Sequence, residues 1–396
     1  MSSRTPSQRL SRRRFLLLSA LTLGACSSTV QSRPDTTTTA AELVSTPVDG
    51  ETPPQTQQTQ TRPATGPEGM FAPVRGDVRA VVLSDMNSSY GSTDYRAEVL
   101  EGVRLLPEWQ PDLVICAGDM IAGQSVALTR PEVDAMWTAF DEKILTPIRE
   151  MGYPYALTLG NHDASSYQFK GEYVFDIDRA AAADYWAPYI DRLDLQYVDK
   201  AGFPFYYSFK QNDIFYMIWD ASSANVAAEQ VAWADATLAS EAAQSAKLRI
   251  AMGHLPMYAV SQGRDRAGEI LNSPDALREL LERHNVHTYI SGHHHVYFPG
   301  HVNELEFLHC GALGSGPRTW LNRTDAAFQT LTVMDIFFDT GEVTYTTYNM
   351  NNRELVTLEQ LPRQIVGPTG RVLREDIELV DLTEAEVNQP YVPSLH

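Results

Sequence analysis

Tyr155-Ala156-Leu157-Thr158-Leu159 runs directly into Gly160-Asn161-His162-Asp163, and this passage decides how the rest of the chain reads. A short apolar run closed by glycine is the pattern of a buried strand. Behind that glycine stand an amide, an imidazole and a carboxylate, which is more chemistry than a turn needs.

The same pattern recurs on either side. Upstream, Arg79–Ser84 (RAVVLS) predicts a strand running into Ser84-Asp85-Met86-Asn87. Tyr95, Val99, Val103 and Leu106 then line one face of a helix, which Pro107 and Pro111 are expected to close. Asp112–Ala117 (DLVICA) predicts the next strand, leading into Gly118-Asp119, and residues 131–150 read as helical. This β-α-β-α-β order argues for α/β architecture with parallel strands.

Downstream, Tyr206–Phe209 and Asp213–Trp219 predict a hairpin turning at Gln211-Asn212. A helix over about 226–242 follows, then a strand Leu248–Met252 ending in Gly253-His254. Another helix over about 275–284 leads to a strand His287–Ile290, ending in Gly292-His293-His294-His295. The strand-rich stretch Leu305–Tyr348 suggests a second sheet against the first. In open α/β sheets ligands gather beyond the carboxyl ends of strands. Five such ends carrying Asp85, Asp119, Asn161, His254 and the pair His293/His295 would converge on one place. Mixed oxygen and nitrogen donors of that kind suit Mn, Fe, Zn or similar divalent ions.

The five clusters, in this order, resemble the calcineurin-like metallophosphoesterase pattern D-x-H, G-D, G-N-H-D/E, G-H, G-H-x-H, over about residues 78–350. The resemblance implies a four-layer α/β/β/α sandwich of two mixed β-sheets. It implies two divalent metal ions, with Asp119 bridging them, Asp85 and His295 completing the first, and Asn161, His254 and His293 completing the second. Such a pair clamps a phosphoryl group and acidifies a water into a nucleophile. His162, oriented by Asp163, would donate a proton to the leaving oxygen, and His294 would point away.

The chain departs from the pattern at Asn87, where the family places histidine. No histidine precedes His162, so no upstream neighbour supplies the missing imidazole. The Asn87 amide oxygen binds the first metal directly, through water, or not at all, and each option favours harder ions such as Mn or Ca. The implied function is hydrolysis of a phosphate mono- or diester. The alternative is a weakly active or non-catalytic binding protein on the same fold. Arg318, behind the glycine-rich run Gly311–Gly316, either meets a substrate phosphate oxygen or sits in a turn between strands. Cys116, inside a predicted strand, reads as a small core residue.

Composition bounds the partners. The chain has 396 residues, of which 43% are hydrophobic, enough for one large domain or two medium ones. Lys+Arg number 31 against 50 Asp+Glu, a formal charge of −19, which speaks against a general electrostatic grip on nucleic acid. Three cysteines cannot build a disulfide framework. No phosphate-binding GxxxxGK[ST] loop, HExxH helix or GxSxG elbow occurs.

The N-terminus reads as an address. Five arginines precede an apolar run from Phe15 to Ala25, and no acid occurs before Asp35. The run is too short to span a bilayer but fits a signal-peptide core. Ser11-Arg12-Arg13-Arg14-Phe15-Leu16 resembles a twin-arginine export motif, and Leu23-Gly24-Ala25-Cys26 a lipobox whose Cys26 becomes acylated. Residues 1–25 are thus expected to be a signal peptide, and 26–77 a disordered tether rich in Thr, Pro and Gln. The catalytic domain is expected over 78–350, with a C-terminal extension over 351–396. The expected location is periplasmic or cell-surface, through a lipid anchor in the membrane.

Overall fold

Two mixed β-sheets face one another in the computed structural model, which describes residues 62–394. The signal peptide, the lipobox at Cys26 and the tether up to residue 61 lie outside the described residues. In the first sheet Val78–Leu83, Leu113–Cys116 and Tyr155–Leu157 run parallel. Thr330–Phe337, Glu342–Asn349 and Glu354–Leu355 extend it antiparallel from the Val78–Leu83 edge. The second sheet has nine strands around a parallel centre formed by Ile214–Ile218, Leu248–Met252, Thr288–Ser291 and Leu305–His309.

Side-chain alternation explains the layering. Ala80, Val82, Leu113, Ile115 and Ala156 pack into the core shared with the second sheet. Their neighbours Val81, Leu83, Val114, Cys116, Tyr155 and Leu157 face outward onto helices carrying Val99, Leu106, Met136 and Trp186. Helices Ala228–Leu238 and Pro274–Arg283 contribute Ala234, Leu238, Leu277 and Leu281 to the core of the second sheet. Strands buried on both faces must be apolar throughout, which is why they stand out in the sequence. The result is the expected four-layer α/β/β/α arrangement.

Several expectations are corrected. Pro107 does not close its helix, which runs over Ala97–Trp109 and ends where Gln110 adopts a left-handed conformation at φ 54°. The hairpin turns at Asn212-Asp213, one residue later than expected. Both take positive φ (50° and 62°), as a two-residue type I′ turn requires, and Gln211 pairs with Ile214.

Residues 62–77 belong to the body rather than to the tether. Thr65 and Pro73 offer their carbonyls to Arg79, Arg75 pairs with Asp112 at 2.8 Å, and Phe71 O accepts from Tyr348. The C-terminal extension likewise joins the body: Gln364–Gly367 and Gly370–Arg374 form a hairpin added to the second sheet beside Phe298–Val302.

Candidate metal centre

Three adjacent strands of the first sheet and two of the second deliver the five clusters to one place. Asp85 N–H donates to Gly118 O (3.0 Å), His162 N–H to Asp119 Oδ1 (2.8 Å) and Gly292 N–H to His254 O (3.0 Å). The two sheets are tied by His293 N–H to Asp85 Oδ1 (3.1 Å) and by His254 Nδ1 to Ala117 O (2.8 Å). The loops are tight enough to demand glycine: a Cβ on Gly160 would stand 2.1 Å from Asp119 Oδ1, and one on Gly292 2.3 Å from Ser84 Oγ. Asp85, Asp119, His293 and His295 all take positive φ, between 50° and 63°. Each such non-glycine conformation costs about 1–3 kcal/mol and persists where surrounding structure imposes it, typically at functional sites.

Side-chain oxygens and ring nitrogens then converge. His254 spends its Nδ1–H on Ala117 O, so Nε2 is the nitrogen that faces the cluster, 3.2 Å from Asp119 Oδ2 and 3.0 Å from Asn161 Oδ1. His295 spends Nδ1–H on Gly316 O (2.7 Å), leaving Nε2 3.1 Å from Asp85 Oδ1. Asn161 Nδ2 donates to Gln124 Oε1 at 2.6 Å, which turns its Oδ1 toward His254 and toward His293 Nδ1 at 2.8 Å. Asp119 Oδ2 and His295 Nε2 are buried without a hydrogen-bond partner among the described residues. One donor atom each from Asp85, Asp119 and His254 lies within 4.8 Å of the others. Buried oxygens and nitrogens gathered in this way call for cations, so the residues present fit the divalent ions the resemblance implies.

The electrostatics agree. Burial lowers the pKa of His254, but Asp119 and then Asp85 overcome it and raise it to about 9. Burial raises Asp119, while the neighbouring His254 and His162 pull it below the usual carboxylate range. His293 is pushed well below its ordinary value by burial and then by Arg264, so its ring is neutral and keeps a lone pair.

Asp163 is not the orienting partner of His162. Its carboxylate accepts four backbone N–H groups: Asp119 and Gly160 at 2.8 Å, Met120 at 2.7 Å and Ile121 at 3.0 Å. It laces the Asp119 loop to the Gly160 loop, with its pKa raised to about 7 by burial and by Asp119. The ring of His162 is instead oriented by Gly123 O, 3.0 Å from Nδ1. It stands 5.1 Å, centroid to centroid, from Tyr90, which is 63% exposed.

Asn87 is buried beside the cluster. Its backbone is clamped, the N–H on Asp119 O and the carbonyl under Ser315 N–H. The glycine-rich run therefore backs the Asp85–Asn87 loop: a Cβ on Gly314 would meet Met86 O at 2.4 Å. Arg318 Nη1 donates to Gln262 O (3.3 Å), and its backbone N–H donates to His295 O. His294 points away, as expected, but is buried, accepting from Val260 N–H and contacting Glu269 O through Nε2 at 3.0 Å.

Three residues at the site escape the sequence reading: Gln124, Glu269 and Arg264. Glu269 Oε2 and Arg264 Nη1 each stand 3.0 Å from His293 Nε2. The charged run Arg264-Asp265-Arg266 so soon after Gly253-His254 is the signal that could have found the last two.

Two facing mixed sheets whose strand ends gather carboxylates, an amide and histidines define a metal-dependent phosphoesterase. The chain belongs to the calcineurin-like phosphoesterase family, which matches residues 78–297. Among solved structures it is similar to a purple acid phosphatase from yellow lupin (Lupinus luteus) seeds. That likeness has 15% identity and a TM-score of 0.51, over 70% of this chain and 52% of that one, so the chain spans about half the lupin protein. It is also similar to a dimetal phosphatase from Danio rerio, at 12% identity and a TM-score of 0.45, over 66% of this chain and 93% of that one. At these identities the likeness is one of fold. No curated protein matches the chain in sequence.

Proposed function

We propose that the chain is an exported, lipid-anchored phosphoesterase with a two-metal site, hydrolysing a phosphate mono- or diester. The observation that carries the reading is that Asp119 Oδ2 and Asn161 Oδ1 both lie within 3.2 Å of His254 Nε2, with Asp119 Oδ2 buried and without a hydrogen-bond partner among the described residues. Asp85, His295 and Asp119 would hold one metal, with Asn87 beside it; Asn161, His254, His293 and Asp119 would hold the other. When bound, the pair supplies positive charge for phosphoryl oxygens and lowers the pKa of a water. Asp119 holds the two positions together, and Gln124 keeps the amide oxygen of Asn161 facing inward. His162, with Nδ1–H on Gly123 O, keeps Nε2 for the proton that the leaving oxygen needs. The leaving group would rest between that ring and the exposed face of Tyr90.

The test is a panel of phosphomonoesters and phosphodiesters, offered to protein reconstituted separately with Mn, Fe, Zn or Ca. Metal-dependent turnover that disappears in Asp119→Ala is expected. Full metal loading with no turnover on either ester class would instead establish the alternative, a binding protein on this fold. Export and anchoring rest on the arginine pair and the lipobox-like end. Arg12→Lys with Arg13→Lys should retain precursor in the cytoplasm, and Cys26→Ala should free the protein from membranes. Unchanged membrane fractionation of Cys26→Ala would refute the anchor.

A further inference from the structure

His293 is turned the opposite way from the other two histidines of the site. His254 and His295 bond main-chain carbonyls through Nδ1 and offer Nε2. His293 offers Nδ1, 2.8 Å from Asn161 Oδ1, and sends Nε2 outward to Glu269 and Arg264. The choice between those two partners decides which nitrogen carries the lone pair. An arginine donating to Nε2 would leave the proton on Nδ1, facing the site. A carboxylate accepting from Nε2–H leaves Nδ1 free for a metal. Glu269 is therefore the partner compatible with a ligand at Nδ1, and Arg264 is drawn onto its carboxylate at 2.9 Å.

Both residues sit on one long loop after His254. His294 holds its two ends, through Val260 N–H and Glu269 O. Arg318 and Thr319 hold Gln262 from one side. On the other side the C-terminal segment closes over it. Asp265, 4% exposed, accepts Tyr391 O–H at 2.8 Å and Ser394 N–H at 2.8 Å through the same Oδ2. Gly263 N–H donates to Ser394 Oγ at 2.9 Å. These bonds fall on the residues immediately before and after Arg264, so they set where its guanidinium reaches.

We infer that the C-terminal segment is a positioning strap for the second metal. Tyr391 and Ser394 fix the loop through Asp265 and Gly263, and the fixed loop keeps Glu269 on His293 Nε2. This rests on the reading that Asn161, His254 and His293 bind a metal. Glu269, Asp265, Tyr391 and Ser394 are positioning residues, since none offers an atom to substrate or metal. They give the extension a task that reaches the centre of the fold.

The experiment is calorimetric titration of metal-free full-length protein with Mn and, separately, Zn. Wild type is compared with the Tyr391→Phe/Ser394→Ala double variant, Glu269→Ala and Glu269→Gln. In the double variant and in Glu269→Ala, one of the two metals should loosen by about tenfold to a hundredfold, the usual effect of losing such outer partners. The other metal should keep its affinity. Glu269→Gln retains an oxygen acceptor for Nε2–H and should restore part of the loss. A merely structural role would not produce selective loosening with partial rescue. Wild-type affinity for both metals in the double variant, or equal loosening of both, would overturn the strap. Should the double variant melt before titration, Glu269→Ala and Glu269→Gln carry the test with the strap intact. Fewer than two metals on the wild type would instead overturn the two-metal reading beneath it.

Discussion

Nε2 of His254 and Oδ2 of Asp119 stand 3.2 Å apart with both side chains buried, and the ring's other nitrogen is already committed to Ala117 O. Two acceptors cannot face each other in that setting, so a positive charge belongs between them. In the metal-free protein it is a proton, since Asp119 and Asp85 outweigh burial and raise His254 to about 9. Below the ordinary histidine value the stabilisation from this shift is fully present, and it is lost as pH rises through about 9. A metal must displace the proton. Metal affinity should therefore climb about tenfold per pH unit toward pH 9. At pH 7, calorimetry in two buffers of different ionisation enthalpy should count about one proton released. No buffer dependence would show that His254 is not a ligand.

Asp119→Ala should abolish activity and remove both metals, because the proposed site assigns one carboxylate to both positions. Elemental analysis reads the loss directly, and the rise in melting temperature that metal gives the wild type should vanish. Retention of one tight metal would mean that the bridging assignment is mistaken.

His162→Ala should keep both metals yet lose roughly 10²–10⁴-fold in rate. The loss should shrink for esters whose leaving group is already a good anion, such as nitrophenolate, since these need no proton. An equal loss on good and poor leaving groups would remove the proton-donor role.

Asn87, buried beside the cluster, is where this chain parts from its family. The first metal should bind more weakly than the second, with activity tracking the weaker site. Asn87→His adds a nitrogen donor and should shift selectivity toward Zn or Fe over Mn or Ca. Turnover need not rise, because a new ring also needs an outer partner to orient it. Two equally tight metals in the wild type would show that another group fills the position.

Arg79 lies in the strand that opens the domain, wholly buried, with a paired contact to Asp335 on the neighbouring strand: Nε to Oδ1 and Nη2 to Oδ2, each 2.9 Å. Removing one partner strands the other charge in the core. Arg79→Ala should cost about 3–5 kcal/mol of stability, read as a lower denaturant midpoint. Asp335→Asn with Arg79→Met should cost less than Arg79→Ala, because no charge is then left unpaired.

Much of this protein was legible in one dimension, for a physical reason. Parallel strands buried on both faces must be apolar without interruption, so RAVVLS, DLVICA and YALTL stand out. Chain reversal beside a ligand-bearing residue needs glycine, so Gly118-Asp119, Gly160-Asn161, Gly253-His254 and Gly292-His293 mark where chemistry begins. Short-range constraints of this kind are written locally and can be read locally. What only the tertiary structure decided concerns contacts between residues far apart in the chain. Arg79 reads as a polar accident at the head of an apolar strand until Asp335 is placed beside it. Asp163 looks like the partner of its neighbour His162, yet the fold turns it onto four amides of two loops. Tautomers are decided in the same way: His254 and His293 look alike in sequence, but Ala117 O and Glu269 lie on different elements and turn the two rings in opposite senses. A hydrogen bond depends on direction as well as proximity, and the chain acquires those directions only when its sheets have packed.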